Sequence, residues 1–386
     1  MKTCKRLMAL YGMALLFLIS ACSKKDADTD PGTNGNGTDS VPQIIAFSPA
    51  AGATDTLVTI TGKNFTNDKS IIAVRFGTTA ATDIVSASTT EIKVKVPKAA
   101  LPGKVKLTVT VAGKDAASAN DFTIEPPTWN KLFGGDNEEL GINIWRTSDG
   151  GYITVARTLS NNSGDVGVSK GNSDIWVVKT DADGNKVWQK TYGGSGGDYP
   201  TAITGTADGG VVIAGYTNSS NSGDVGLNHG YDDAWIFKLD ANGNLLWQKT
   251  FGDAISNFAQ DIISSGDGGF IVAGLTYVST HRDVWIFKLD ANGNLLWQKT
   301  FGGSDEEYTS AITASGDGGF VVTATTASNN TGDVGSNHGN FDMWVVKFDA
   351  NGNLVWQKTL GGSEDEYTND IIRSADGGFV VIGRTR

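Results

Sequence analysis

Three aspartates in one recurring phrase are the first residues whose type and spacing suggest chemistry. Asp165, Asp224 and Asp333 sit in the stretches SNNSGDVGVSKGNSD (160–174), SSNSGDVGLNHGYDD (219–233) and SNNTGDVGSNHGNFD (328–342). With nearby Asn and Gly carbonyl oxygens they could hold Ca²⁺ or a sugar, because hard cations take oxygen ligands. An aspartate in such a loop also caps its own backbone, and this is the preferred reading. Ca²⁺ at these three positions is the only cofactor the chain suggests. His229 and His338 stand in matching NHG phrases, whereas His281 does not. No His-x-His or His/carboxylate cluster is visible, so a transition-metal site is not expected. The run Asp181 to Asn185 (DADGN) looks like a calcium loop, but its Gly comes fourth and no Glu follows at the twelfth place. The other copies read DANGN, which suits a hairpin turn. Recurring Trp residues are expected in the core. Trp145 stands outside their period and is the best single Trp for a binding role.

These residues belong to a repeat. Trp129, Trp188, Trp247, Trp297 and Trp356 are spaced 59, 59, 50 and 59, and the DGG markers that begin at Asp149, Asp208, Asp267, Asp317 and Asp376 show the same intervals. A period of this size points to a propeller or an array. Each unit reads as four short strands, a to d. In one copy these are Ala311 to Ala314, Phe320 to Thr325, Met343 to Asp349 and Leu354 to Thr359. DGG and DANGN supply tight a–b and c–d turns. Strands b and c are continuously apolar, so both faces should be covered, as in stacked blades. The long b–c loops and the acidic d–a links then fall on the opposite side from the tight turns. The fourth b–c loop, after Gly274, lacks nine residues, which explains the interval of 50.

Five copies of a, b and d but four of c give about five blades. The d phrase from Trp129 to Phe133 could join the C-terminal a and b strands to close the ring. Either that blade is three-stranded or the array continues beyond Arg386. The repeat resembles the propellers of Bacteroidetes surface proteins, on Trp344, Lys347, Asp349, Gly352, Asn353, Trp356, Lys358, Gly361 and Gly362.

Ahead of the repeats, 42–125 alternates apolar and polar residues in short runs, such as Ile92 to Val96 and Val105 to Val111. About 85 residues suits a small sandwich. PQIIAFSP (42–49), TITGKNF (59–65), VRFG (74–77) and DFTI (121–124) resemble an IPT/TIG domain. That resemblance implies an immunoglobulin-like spacer or interaction module.

The N-terminus reads as an export signal. Lys2, Lys5 and Arg6 precede an apolar run from Leu7 to Ile19, too short to span a membrane. Leu18-Ile19-Ser20-Ala21-Cys22 resembles a bacterial lipobox, which implies lipid on Cys22. With Cys4 removed in the signal, no disulfide and no Cys-based zinc site are expected in the mature monomer. The SKKDAD run after Cys22 is similar to a surface-export signal; a solvated tether explains it equally well. A net charge of −11 argues against a nucleic-acid partner.

The expectation is therefore an all-β chain: signal peptide 1–21, flexible tether 22–41, IPT/TIG domain 42–125 and propeller 128–386. It is lipid-anchored in the outer membrane and faces the cell exterior. Near-identical repeats suit multivalent contact better than one differentiated active site, so a non-catalytic module for glycan or a surface protein is expected. The alternatives are a glycan-degrading enzyme, which needs a unique carboxylate pair, and a structural envelope protein.

Overall fold

A computed structural model describes residues 40–126 and 128–386. The signal peptide, Cys22 and most of the tether lie outside the described residues. The described chain is all-β, with one 3₁₀ turn at Lys69–Ile71.

The first domain packs two sheets. One holds β1 (Gln43–Ser48), β3 (Leu57–Lys63), β6 (Ile84–Ala87) and β7 (Glu91–Lys95). The other holds β2 (Ala51–Gly52), β4 (Ile72–Phe76), β5 (Thr79–Ala80), β8 (Gly103–Val111) and β9 (Lys114–Ile124). Alternation puts Val58, Ile60, Ile92, Val94, Leu107 and Phe122 inside, all fully buried. Phe76 meets Phe122 edge-on with centroids 5.3 Å apart.

The repeats form a propeller of four complete blades and a two-stranded fifth. Blade 1 is β10 (Glu139–Arg146), β11 (Tyr152–Thr158), β12 (Asp174–Thr180) and β13 (Lys186–Tyr192). Blade 2 is β14 (Asp198–Gly205), β15 (Val211–Thr217), β16 (Asp233–Leu239) and β17 (Leu245–Phe251). Blade 3 is β18 (Asn257–Ser264), β19 (Phe270–Val278), β20 (His281–Leu289) and β21 (Leu295–Phe301). Blade 4 is β22 (Glu307–Ala314), β23 (Phe320–Thr326), β24 (Asp342–Phe348) and β25 (Leu354–Leu360). The fifth has β26 (Glu366–Arg373) and β27 (Phe379–Thr385). Within each blade the strands pair antiparallel in chain order. Strand a begins several residues earlier than expected, because the end of the d–a link, an acid in four blades and Asn257 in blade 3, is its first rung.

The repeated residues each hold one joint. The strand-c tryptophans Trp176, Trp235, Trp285 and Trp344 are buried, and each indole N–H donates to a strand-d glutamine, as Trp235 does to Gln248 at 3.2 Å. Strand-c lysines pair with the aspartate of the a–b turn: Lys238 Nζ lies 2.6 Å from Asp208 Oδ2 and Lys347 Nζ 2.8 Å from Asp317 Oδ1. In the c–d turn Asp240 accepts from the backbone of Asn242 and Asn244, both at 2.8 Å, so the DANGN phrase is a self-bonded hairpin.

Strand-d tryptophans stand at the edge of the inter-blade cores: Trp188, Trp247 and Trp297 are half-buried, pack against those cores and lean on the c–d turn of the next blade. Trp188 donates to the Ala241 carbonyl at 3.1 Å and Trp247 to that of Ala291 at 3.2 Å. The turn glycine must have no Cβ, because an added one at Gly352 (φ +69°) would sit 2.5 Å from Trp297.

The ring closure expected from the d phrase is not seen. Residues 129–133 form no strand, although Trp129 still donates to Ala182 O at 3.0 Å, the contact of any other d strand. With no strand c between them, the two halves of that blade have no shared ladder. Leu140 and Ile144 of β10 and Ile382 of β27 are exposed as a result.

Gly352→Ala forces a left-handed turn and crowds an indole together. It should cost about 1–3 kcal/mol, read as a lower urea midpoint, while Asn351→Ala in the same turn should cost less.

Candidate binding face

The sandwich touches blade 1 on its tight-turn side. Arg146 donates to the Ala100 carbonyl at 3.3 Å, and Lys98 Nζ lies 3.6 Å from Asp183 Oδ2 in the c–d turn. The side that carries the long b–c loops is left clear of these contacts.

On that side each S/T-G-D-V-G aspartate is an inter-blade clamp. The Asp224 N–H donates to the Gly193 carbonyl at 2.8 Å, and its carboxylate accepts from the Gly193 N–H at 3.2 Å. Asp165 grips Gly134 and Asp333 grips Gly302 in the same way. The caps are thus not to their own backbone, as expected from the sequence, but to the end of the preceding strand d. Asp165 also pairs with Lys186, and Asp224 with Lys170. Each aspartate sits in its own blade, and the structure does not bring the three together. Among the described residues no group of three or more His, Cys, Asp or Glu is arranged to hold a metal ion.

Each histidine meets a single carboxylate, a pairing the sequence did not show. Nδ1 of His229 lies 2.7 Å from Asp233 Oδ2, and Nδ1 of His338 lies 2.8 Å from Asp342 Oδ2. His281, in the shortened loop, reaches Asp283 from the other ring nitrogen at 3.5 Å. The sequence hid these pairs because the loop folds back on the first residue of strand c. Trp145 is partly exposed at the end of β10 and lies against Gly205 and near Leu101 of the sandwich. It is on the tight-turn side, away from the loops.

Part of the acidic d–a links is a buried layer of carboxyls. Asp198 and Glu307, the first residues of their strands, are fully buried. Each faces the buried strand-c aspartate of the previous blade, Asp174 or Asp283, across a glycine: a Cβ on Gly302 would lie 2.4 Å from Asp283 Oδ1 and 2.5 Å from Glu307 Oε2. Burial, and then the charge of Glu307, push Asp283 up to about 6. Burial raises Asp174 and Asp198 too. At the junction of blades 2 and 3 the acid is replaced by Asn257, which keeps the backbone hydrogen bond, from Asp253 N–H at 2.9 Å. A neutral group therefore serves in that place.

The feature that sequence reading missed is an arc of aromatic rings at the loop-side end. Strands a of adjacent blades touch one another, so they lie on the inside of the arc of blades. The second residues of strand a in blades 2 to 5 are Tyr199, Phe258, Tyr308 and Tyr367; blade 1 has Leu140 there. Tyr199 stacks on Tyr216 with centroids 4.8 Å apart, and Tyr216 meets Phe258 edge-on at 4.9 Å. Arg282 lies 4.8 Å over Tyr277 and 5.4 Å over Tyr308. Phe341 stacks on Tyr367 at 5.5 Å, and Arg384 covers Tyr367 at 4.8 Å. All these rings are half-buried. The available signal was the acid-or-amide then aromatic dipeptide, repeated at the period of the tryptophans.

Comparison with known proteins identifies one domain. The family model of the IPT/TIG domain matches residues 42–124, so that segment is an IPT/TIG domain. A cyclomaltodextrin glucanotransferase of Paenibacillus macerans is 43% identical over 118 residues, which is 29% of this chain and 16% of that enzyme. The chain thus spans only a small part of that relative. Among solved structures, a Bacteroides thetaiotaomicron protein of unknown function is similar at 15% identity and TM-score 0.35, covering 89% of this chain and 95% of the other. An auxiliary nutrient binding protein of Bacteroides ovatus shows 13% identity and TM-score 0.27, with 88% and 94% covered. A rhamnogalacturonan lyase of Bacillus licheniformis shows 13% identity and TM-score 0.37, with 86% and 73% covered. At these values the likenesses say nothing about what this chain binds.

The carboxyl pairs set a pH dependence. Asp283, and Asp261 in the middle of β18, both raised to about 6 by burial, favour the fold when protonated, so their contribution is complete below pH 4 and lost as pH rises through 6. Asp208, held at about 2 by Lys238 and Thr206, contributes above pH 4 and loses that contribution as pH falls through 2. The thermal midpoint should peak near pH 4. Asp283→Asn should raise the midpoint at pH 7 and leave it unchanged at pH 4.

Proposed function

We propose that this is an envelope lipoprotein, held at the outer membrane by lipid on Cys22, whose propeller binds a glycan non-covalently on the loop side. The observation that carries this reading is the half-buried aromatic and arginine arc. Apolar ring faces with hydroxyl and guanidinium edges suit a sugar, which offers apolar C–H faces and polar rims. The IPT/TIG domain, docked on the opposite side, acts as the spacer that leaves the arc clear. The S/T-G-D-V-G loops brace this face and do not chelate. A protein ligand would use the same rings through stacking and cation–π contact.

One observation favours a glycan-degrading enzyme as the second reading. Asp261 and Asp370 are carboxyls on strand a at a place where other blades carry Asn143, Ala202 and Ala311. Burial raises Asp261 to about 6, with the charge of Asp370 adding to it. Both Asp261 oxygens accept backbone N–H groups, Ile262 at 2.8 Å and Ile312 at 2.9 Å. This favours a tie between blades over a free acid.

The test is a glycan-array screen of residues 23–386 with and without Ca²⁺, followed by a product assay on each hit. Binding without turnover, unchanged by Ca²⁺, is expected. Tyr216→Ala should weaken a hit at least tenfold, the equivalent of about 1.4 kcal/mol. Turnover that vanishes in Asp261→Asn would establish the enzyme instead.

A further inference from the structure

Blade 3 has lost the loop that its neighbours use to seal their loop-side end, and its partners are left uncovered. In blades 1, 2 and 4 that loop makes a constant set of contacts. Its aspartate clamps the glycine that ends the preceding strand d. Its valine, Val166, Val225 or Val334, is buried. A loop carbonyl accepts from a strand-d threonine, as Val168 does from Thr191 at 2.6 Å and Leu227 from Thr250 at 2.5 Å. In blade 2 the Gly226 N–H also donates to Gln248 at 3.3 Å.

Blade 3 keeps the receiving residues and replaces the loop with a short hairpin, Val278–His281. A cavity of about 330 Å³ stands in the loop's place, lined by Gly252, Asn257, Thr276, Trp285, Gln298 and Thr300. Gly252 is exposed, whereas its counterparts Gly193 and Gly302 are buried. Gln298 and Thr300 are likewise exposed, whereas Gln189, Gln248, Thr191 and Thr250 are half-covered. The surface around the cavity is thus the mould of a Gly-Asp-Val-Gly turn.

We propose that this cavity is a recognition site for an acidic peptide turn of the Ser/Thr-Gly-Asp-Val-Gly type. The Gly252 N–H receives the carboxylate, the Gly252 carbonyl the aspartate N–H, and the Thr300 hydroxyl a peptide carbonyl. The small branched side chain fills the space beside Trp285, as Val225 fills its own beside Trp235. Asp253 at the rim accepts hydrogen bonds from peptide donors; Lys299 lines this wall but its Nζ is taken by Asn351 O, Gly352 O and Asn353 Oδ1, so the carboxylate is held by the Gly252 N–H. A polypeptide answers this pattern because two of the three polar contacts are to backbone groups. The site deepens the loop-face reading but uses a different surface from the aromatic arc, so either can fail alone.

The probe is a head-to-tail cyclic peptide, Ser-Asn-Ser-Gly-Asp-Val-Gly-Leu-Asn, titrated by calorimetry into residues 23–386. Saturable one-to-one binding is expected, weakened at least tenfold by Asp→Ala or Val→Ser in the peptide. Thr300→Trp, at an exposed position, should plug the cavity and abolish binding with an unchanged thermal midpoint and unchanged glycan-array hits. A second variant grafts Asn218–Asp232 in place of Tyr277–Arg282, the segments between the paired ends Thr217/Asp233 and Thr276/Asp283. It should raise the thermal midpoint and no longer bind the peptide. No binding of the cyclic peptide, or binding that survives both variants, would overturn the proposal. So would a graft that lowers the midpoint, or capture of an acidic saccharide at Thr300 with no response to peptide.

Discussion

Strands b and c of the four complete blades are largely buried on both faces, so no blade can bury itself. Each depends on the first strand of the next, which lies across strands a, b and c of its predecessor. Almost every repeated residue serves that dependence. The strand-d tryptophan reaches forward to the next c–d turn, and the loop aspartate reaches back to the preceding strand d. Stability in such an array is approximately a sum of repeat terms and neighbour terms. The exposed faces of β10 and β27 are where a neighbour term is missing.

The same constraint divides the molecule into a fixed side and a variable one. On the tight-turn side the lysine–aspartate pairs and self-bonded turns leave little room for change. One of these turns also takes the IPT/TIG domain. On the loop side the chain varies without breaking the ladder. Lys170 stands where other copies have histidine, Asn257 stands where others have an acid, and one blade omits nine loop residues. Differences between repeats therefore collect on the side that carries the aromatic arc and the blade 3 cavity. A face free to vary over a rigid scaffold is where binding is usually built.

The blade architecture was legible because two markers shared one irregular period, and because turn chemistry at DGG and DANGN is local. The sandwich was legible for the same reason: alternation and turn residues act over a few positions. The site was mostly not. The aspartates at 165, 224 and 333 were visible, but their partners lie in a preceding blade about 31 residues back, which no local pattern reveals. No local pattern marks the acids at 198 and 307 as buried, since charge is usually at the surface; they lie against a strand-c carboxyl of the preceding blade. The missing loop was noticed as a spacing of 50, yet its consequence, an empty mould, appears only when the neighbouring blades are compared in space. The histidine–aspartate contacts depend on a loop that turns back, and the sequence does not show it.

The central claim is that ligand meets this protein on the loop side of the propeller. Amide hydrogen exchange across the full chain, with and without the saccharide returned by the array, tests it directly. Protection should appear at the ends of strands a and b, around Tyr199, Tyr216, Phe258, Tyr277 and Tyr308, while the DGG turns and the sandwich stay unchanged. Protection confined to the DGG turns, or to the IPT/TIG domain, would contradict the account.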